Sequence, residues 1–223
     1  MSVAPIIVSI RHRDPLLALG VLATLREDSR FAPHSEHLPS YVPPGSAEIA
    51  DVVVADYESG LELANRSTRE GLVQRVLIVT DRNGEVDVQQ AMTHGVLGYV
   101  PTGCHLEEII DGVLALHSGR RYIAQSAALR LVEGVLHQAL TNREVEVLQY
   151  VVAGWSNKMV ANHLGLSLGT VKCHVRAILD KLDAKSRTQA AMVARQRGLV
   201  TTDGRSFAYS SKSAAASSPI RAN

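Results

Sequence analysis

Helix start and stop signals recur at short intervals between residues 139 and 200, and they constrain the fold more than any other feature of the chain. Thr141-Asn-Arg-Glu144 and Ser186-Arg-Thr-Gln189 are capping boxes, whose first and last side chains satisfy free N–H groups where a helix begins. Ser156 is a further N-cap residue, and Gly165-Leu166-Ser167 supplies a turn followed by another N-cap. The segment therefore predicts four short helices, which must bury their apolar faces against one another in an all-α domain.

The second and third predicted helices flank the glycine-containing turn, which is typical of a helix-turn-helix unit. The third helix, predicted over residues 168–183, has one apolar face, made of Val171, Val175, Ile178 and Leu182. Lys172, Cys173 and Arg176 fall on the opposite face. Two cations one turn apart near the start of a helix suit the reading of guanine edges in the DNA major groove. Spacing alone leaves a plain solvated face as an equal alternative.

Residues 1–117 alternate between short β-branched runs and helical stretches, a pattern that indicates βαβ units. Strands are predicted at residues 6–10, 52–55, 76–80 and 96–100, with a short one near 36–38, where prolines interrupt the chain. The expected fold is an α/β domain with a doubly wound, five-stranded parallel sheet. Residues 118–138 are predicted to form a linker with a helix from about 126 to 136, and residues 201–223 a disordered tail.

Charge is distributed unevenly along the chain. Residues 1–130 contain 11 arginines, no lysine and 16 acidic residues, whereas residues 138–200 contain nine basic and four acidic residues. This asymmetry favours contact of the C-terminal half alone with a polyanion.

Other features bear on the class of protein. The sequence has no apolar run of membrane-spanning length and no signal peptide, which favours a cytoplasmic protein. Cys104 and Cys173 lie far apart, without metal-ligating neighbours at useful spacing, so neither a disulfide nor a metal site is expected. No nucleophile–base pair appears, so we expect neither an enzyme nor a bound cofactor.

Residues 139–200 closely resemble the four-helix DNA-binding domain of LuxR/NarL-type regulators. The resemblance rests on LTNREVEVL, GWSNKMVANHLGLSLGTVKCHVRAILDKL and SRTQAA, which follow the family signatures almost unbroken. It implies double-stranded DNA as a partner, with bases contacted by Lys172, Cys173 and Arg176 and phosphates by Thr170, Asn157 and Lys158. Such domains commonly pair through the final helix, which here implies a homodimer with contacts around Ala190–Ala194 or through the N-terminal domain.

Residues 4–117 resemble the receiver domain of response regulators. Asp56, at the end of a strand, resembles the phosphoacceptor aspartate, and Thr80 matches the switch threonine. The acidic pair that holds Mg²⁺ in this family falls on His12 and Arg13, and the family's lysine falls on Thr102. The resemblance therefore predicts an atypical receiver.

The sequence thus predicts a sequence-specific DNA-binding transcription regulator that is controlled without conventional aspartate phosphorylation. One alternative is a conventional two-component regulator that is phosphorylated on Asp56. Another is a receiver-like domain that acts mainly as a protein-interaction module for a partner protein or an unknown signal. A quorum-sensing type of small-molecule sensor is disfavoured, because Trp155 is the single tryptophan and aromatic residues are scarce.

Overall fold

The computed structural model describes residues 4–35, 50–70 and 74–200. The chain divides into two compact units, Met1–Leu136 and His137–Asn223. Within the described residues no helix combines the length and the apolar character needed to cross a membrane.

The first unit alternates strands and helices along the chain. Its elements are β1 (Ile6–Arg11), α1 (Pro15–Arg26), β2 (Phe31–Ser35), β3 (Val52–Ala55), α2 (Tyr57–Glu70), β4 (Val76–Thr80), α3 (Glu85–Thr93), β5 (Gly98–Pro101), α4 (Leu106–His117), β6 (Tyr122–Ile123) and α5 (Gln125–Leu136). All observed strand pairs are parallel, and the strand order is β2-β1-β3-β4-β5-β6. The predicted parallel α/β sheet is confirmed, but the described residues contain six strands rather than five.

Helices cover both faces of this sheet, as expected of a doubly wound fold. Successive residues of β3 point to opposite faces, so that Val52 and Val54 pack with α1 and α4, whereas Val53 and Ala55 pack with α2, α3 and α5. All four of these residues are buried, which explains why the strand reads as a continuous apolar run.

The edge strand β2 tolerates a proline. Pro33 pairs with Val8 of β1. Because β2 lies at the edge of the observed sheet, its outer side faces no neighbouring strand, and the N–H that proline lacks is not needed there. The short strand predicted near residues 36–38 lies outside the described residues, and the strand that is observed ends just before it.

The segment predicted as a linker, residues 118–138, belongs largely to the first unit. Tyr122 and Ile123 add β6 to the sheet beside Gly98 and Tyr99 of β5, and the following helix α5 buries Ala127 in the core. The predicted boundary at residue 117 is therefore too early, because the unit continues to Leu136. A two-residue strand has no periodicity from which it could be recognised.

The second unit forms the four predicted helices: α6 (Asn142–Val152), α7 (Asn157–Leu164), α8 (Leu168–Lys181) and α9 (Arg187–Gln196). The capping box at the start of α6 forms as predicted, with reciprocal bonds between Thr141 and Glu144. Burial raises the pKa of Glu144. The hydrogen bond from Lys181 (2.7 Å) and those of the capping box outweigh burial, so the pKa of Glu144 lies below its ordinary value. The carboxylate therefore joins the start of α6 to the end of α8.

The core of the second unit contains apolar residues of all four helices, among them Leu148, Val160, Val171 and Ile178. Ala190 and Ala194 of α9 are also fully buried in this core. They are therefore unavailable for pairing with another copy, and the exposed apolar residue of α9 is Met192.

Candidate nucleic-acid interface and receiver pocket

The helix α8 presents the basic face that the sequence predicts. Ser167 caps the helix through its side chain, which accepts the backbone N–H of Thr170 at 3.0 Å. Val171 and Ile178 are buried beneath the helix. Lys172, Cys173 and Arg176 are exposed, and within the described residues none of these three side chains forms an ion pair.

The residues predicted to contact phosphate lie at the starts of two helices. Lys158 is exposed in the first turn of α7, and Thr170 is exposed in the first turn of α8, where its hydroxyl lies 2.8 Å from that of Ser167. Asn157 is half-buried, and its Oδ1 accepts a hydrogen bond from Nη1 of Arg187 at 2.7 Å. The contact of Arg187 is not apparent from the sequence, because its partner Asn157 lies 30 residues away along the chain.

The predicted receiver residues come together at one end of the parallel sheet. There they line a pocket of about 440 Å³, formed by His12, Asp14, Leu16, Leu17, Asp56, Tyr57, Glu58, Thr80, Asp81, Arg82 and Thr102. Thr80 and Thr102 are joined through the backbone, since the N–H of Thr102 donates to the carbonyl of Thr80 at 2.7 Å. Ligands of doubly wound folds bind at this carboxyl end of the strands, so the pocket is the natural candidate site.

Asp56 is buried, and donors surround its carboxylate. Its Oδ1 accepts the backbone N–H of Ser59 at 2.9 Å, and its Oδ2 accepts the Ser59 hydroxyl at 2.9 Å and the backbone N–H of Arg13 at 3.0 Å. Nε of Arg13 lies 4.0 Å from Oδ1. Burial raises the pKa of Asp56, but the bonds from Ser59 and Arg13 together lower it below its ordinary value. The carboxylate therefore acts as an N-cap of α2 and is paired with a cation of the protein itself.

The ring of His12 is fixed by two hydrogen bonds to the backbone. Nε2 lies 3.1 Å from the carbonyl oxygen of Val79, and Nδ1 accepts the backbone N–H of Asp14 at 3.1 Å. A ring that donates through one nitrogen and accepts through the other is neutral. Asp14 in turn caps α1, with Oδ1 accepting the N–H groups of Leu16 and Leu17.

Arg82 spans the opposite wall of the pocket. Its guanidinium is paired with Glu58, lies 3.9 Å from Oδ1 of Asp87 and stacks over the ring of Tyr57, 4.6 Å from its centroid. Its carbonyl accepts the hydroxyl of Tyr99 at 2.7 Å. This network ties α2, β5 and α3 together, and it cannot be recognised from the sequence because its members form no local pattern.

Comparisons with known proteins identify the family of the chain and cover both of its units. Residues 138–194 match the family described as bacterial regulatory proteins, luxR family. The nitrate/nitrite response regulator protein NarP of Escherichia coli (strain K12) is 30% identical over 208 residues, covering 87% of this chain and 97% of NarP. The chain belongs to the LuxR/NarL-type response regulators. It is a DNA-binding transcription factor of that family.

Further relatives of this response regulator agree in family and fold. The transcriptional regulatory protein LiaR of Bacillus subtilis (strain 168) is 30% identical over 162 residues, covering 67% of this chain and 77% of LiaR. Among solved structures, the response regulator ChrA of a heme-sensing two-component system has a TM-score of 0.50 at 30% identity, covering 89% of this chain and 100% of ChrA. RcsB from Salmonella enterica serovar Typhimurium, bound to promoter DNA, has a TM-score of 0.61 at 16% identity, covering 86% and 99%, which shows a shared fold.

The Arg82 network of the regulator makes its stability depend on pH through Asp87. Burial raises the pKa of Asp87 to about 6, although Arg82 opposes the shift, whereas an exposed aspartate titrates near about 4. The folded chain thus holds this proton more tightly than the unfolded chain, and the contribution of Asp87 to stability falls as pH rises through this window. We expect Asp87→Asn to leave the free energy of unfolding unchanged near pH ~4 and to raise it by about 1–3 kcal/mol near pH ~7.

Denaturant titrations of the full chain, followed by circular dichroism across this pH range, measure the effect. Asp81→Asn, which removes an exposed carboxylate from the same pocket, is the matched control and is expected to change little. Emission from Trp155 reports the second unit and should not respond to either substitution. A difference between Asp87→Asn and the wild type that stays flat with pH contradicts the assignment.

Proposed function

We propose that this response regulator binds specific operator sequences by inserting α8 into the major groove of double-stranded DNA. Lys172, Cys173 and Arg176 would contact base edges, and Thr170, Asn157 and Lys158 would contact phosphates. The observation that carries the proposal is the exposed basic face of α8, whose opposite face is fixed in the core by Val171 and Ile178. A helix held in this way presents its cations at defined positions, as base readout requires.

Selection of duplexes from a random pool by the full-length protein tests this function. The selected duplex should be bound at least about a thousandfold more tightly than random DNA, the lower end of the range for specific regulators. Equal affinity for both duplexes would contradict sequence-specific binding.

We further propose that control of the regulator does not use Mg²⁺-dependent phosphorylation of Asp56. Magnesium prefers carboxylate oxygens in near-octahedral arrangement. The positions of the family's acidic pair carry a neutral, hydrogen-bonded His12 and a cationic Arg13, and no group of three metal-ligating side chains occurs among the described residues. Thr102 also supplies no cation to hold a phosphoryl oxygen. These residues do not fit the metal, and the contact of Arg13 with Asp56 supports a receiver held in one state.

The proposed binding unit is a homodimer. A single helix-turn-helix buries little surface, whereas two half-sites one turn apart multiply affinity. The fold neighbour RcsB has been solved as dimers bound to DNA. Because Ala190 and Ala194 are buried, pairing through α9 would have to use its outer face, around Met192, or else a surface of the first unit.

Light scattering on a palindromic duplex is expected to show two copies of the chain bound per DNA. A concentration series of the free protein in the same instrument separates a preformed dimer from one that assembles on DNA. A complex that remains 1:1 on the palindrome at saturating protein would refute the homodimer.

A further inference from the structure

Arg187 joins the first turn of α9 to the segment that begins α7. Its Nη1 donates to Oδ1 of Asn157 at 2.7 Å, and its Nη2 donates to the carbonyl oxygen of Trp155. We propose that Arg187 is a positioning residue that fixes the amide of Asn157 with its nitrogen toward the DNA backbone. The inference rests on the proposed function and adds a residue that the phosphate contacts depend on.

The orientation of the amide follows from the inventory of donors. A guanidinium has only donors, so the atom of the Asn157 side chain that faces Arg187 must be the oxygen. The two N–H donors of the planar amide then point away from Arg187. The second bond, to Trp155, holds the guanidinium at two points, so the amide meets a fixed partner rather than a mobile side chain.

The amide donors of Asn157 lie next to Lys158, where the proposed function places the phosphate backbone of the DNA. Asn157 is only half-buried, and the next residue, Lys158, is exposed in the same first turn of α7. A phosphate oxygen accepts hydrogen bonds, so it is attracted by the amide nitrogen and repelled by the amide oxygen. Without Arg187 the amide can turn over, and part of the population would present its oxygen to the phosphate.

The decisive variant is Asn157→Asp in the full-length chain. An aspartate keeps the acceptor for Arg187, so the domain stays folded, but it replaces the outward donors with a second, negatively charged oxygen. We expect the midpoint of thermal unfolding to stay at or above that of the wild type while affinity for the selected duplex falls at least about tenfold. Affinity equal to the wild type would show that the outward group of residue 157 does not meet a phosphate, and would overturn the proposal.

A double-mutant cycle tests the part played by Arg187. Asn157→Ala should weaken binding by about three- to tenfold, as expected for one hydrogen bond. Arg187→Ala should weaken it by a smaller factor, because only part of the amide population turns over, and the double variant should lose no more than Asn157→Ala alone. Arg187→Lys keeps the charge and donors but replaces the two nitrogens of the planar guanidinium with one, so it should recover at most part of the affinity that Arg187→Ala loses. Losses that simply multiply in the double variant, or full affinity in Arg187→Ala, would refute a positioning role.

Salt dependence separates positioning from direct contact. If Arg187 only orients Asn157, the slope of log affinity against log salt should be unchanged in Arg187→Ala, whereas a fall of about one would mean that Arg187 itself neutralises a phosphate, and the proposal would be wrong. Arg195→Ala, at the exposed far end of α9, controls for loss of charge. Failure of the proposed function would look different, because wild-type protein would then fail to discriminate the selected duplex from random DNA.

Discussion

Replacing Arg176 or Lys172 by alanine is expected to weaken binding to the selected duplex by roughly fivefold to 150-fold, because one good contact to a base edge contributes about 1–3 kcal/mol. The same variants should bind random duplexes almost as well as the wild type does. The reason lies in the packing of α8. Val171 and Ile178 fix the buried side of the helix, so the two cations, four residues apart, project together from the exposed side.

Lys158→Ala provides the contrast within the same domain. This exposed lysine precedes the turn into α8, and a phosphate contact there adds affinity without discriminating sequence. The variant should weaken binding to both duplexes by a similar factor and lower the salt slope by roughly one. Titrations on selected and random duplexes at several salt concentrations measure both effects, with Arg195→Ala as a control for loss of charge outside α8. If Lys172→Ala and Arg176→Ala lost affinity equally for both duplexes, this face of α8 would contact only the phosphate backbone.

Local chemistry made the second unit predictable from the sequence. The capping box of Thr141 and Glu144 and the N-cap at Ser167 act over three residues, so they can be recognised before any fold is known. The contact of Arg187 with Asn157 could not be found in this way. It depends on how α9 packs against the start of α7, and although both residues lie in motifs named above, nothing in their spacing pairs one with the other.

The receiver shows the same division between local and long-range information. The mismatches at His12, Arg13 and Thr102 follow from the resemblance of the sequence to the family. What the sequence did not reveal is how the mismatches are accommodated, because the ring of His12 reaches the carbonyl of Val79, 67 residues away. The backbone N–H of Arg13 also reaches Asp56 over 43 residues of chain, and only the folded sheet brings them together, whereas Ser59 lies three residues from Asp56 and is a local contact.

Incubation of the wild-type protein with acetyl phosphate and Mg²⁺ is expected to leave its intact mass unchanged. Phosphoryl transfer to an aspartate requires a carboxylate oxygen that is free to attack and cations that neutralise the phosphate oxygens. Both oxygens of Asp56 accept hydrogen bonds, from Ser59 and from the backbone N–H of Arg13, and the Arg13 side chain lies 4.0 Å away. DNA affinity should likewise not respond to acetyl phosphate.

Two variants make this prediction specific to the residues of the pocket. Asp56→Asn keeps an acceptor for Ser59, so it should bind DNA within about twofold of the wild type, since no phosphorylated state is lost. Arg13→Asp combined with Thr102→Lys replaces the built-in cation with a carboxylate and supplies the family's lysine, so the added mass of one phosphoryl group is expected to appear on Asp56. A conventional response regulator treated in parallel confirms that the phosphodonor is active. Phosphorylation of wild-type Asp56 accompanied by tighter DNA binding would show instead that the Arg13 side chain moves away so that the metal can bind. It would also show that phosphorylation activates the receiver as in conventional response regulators.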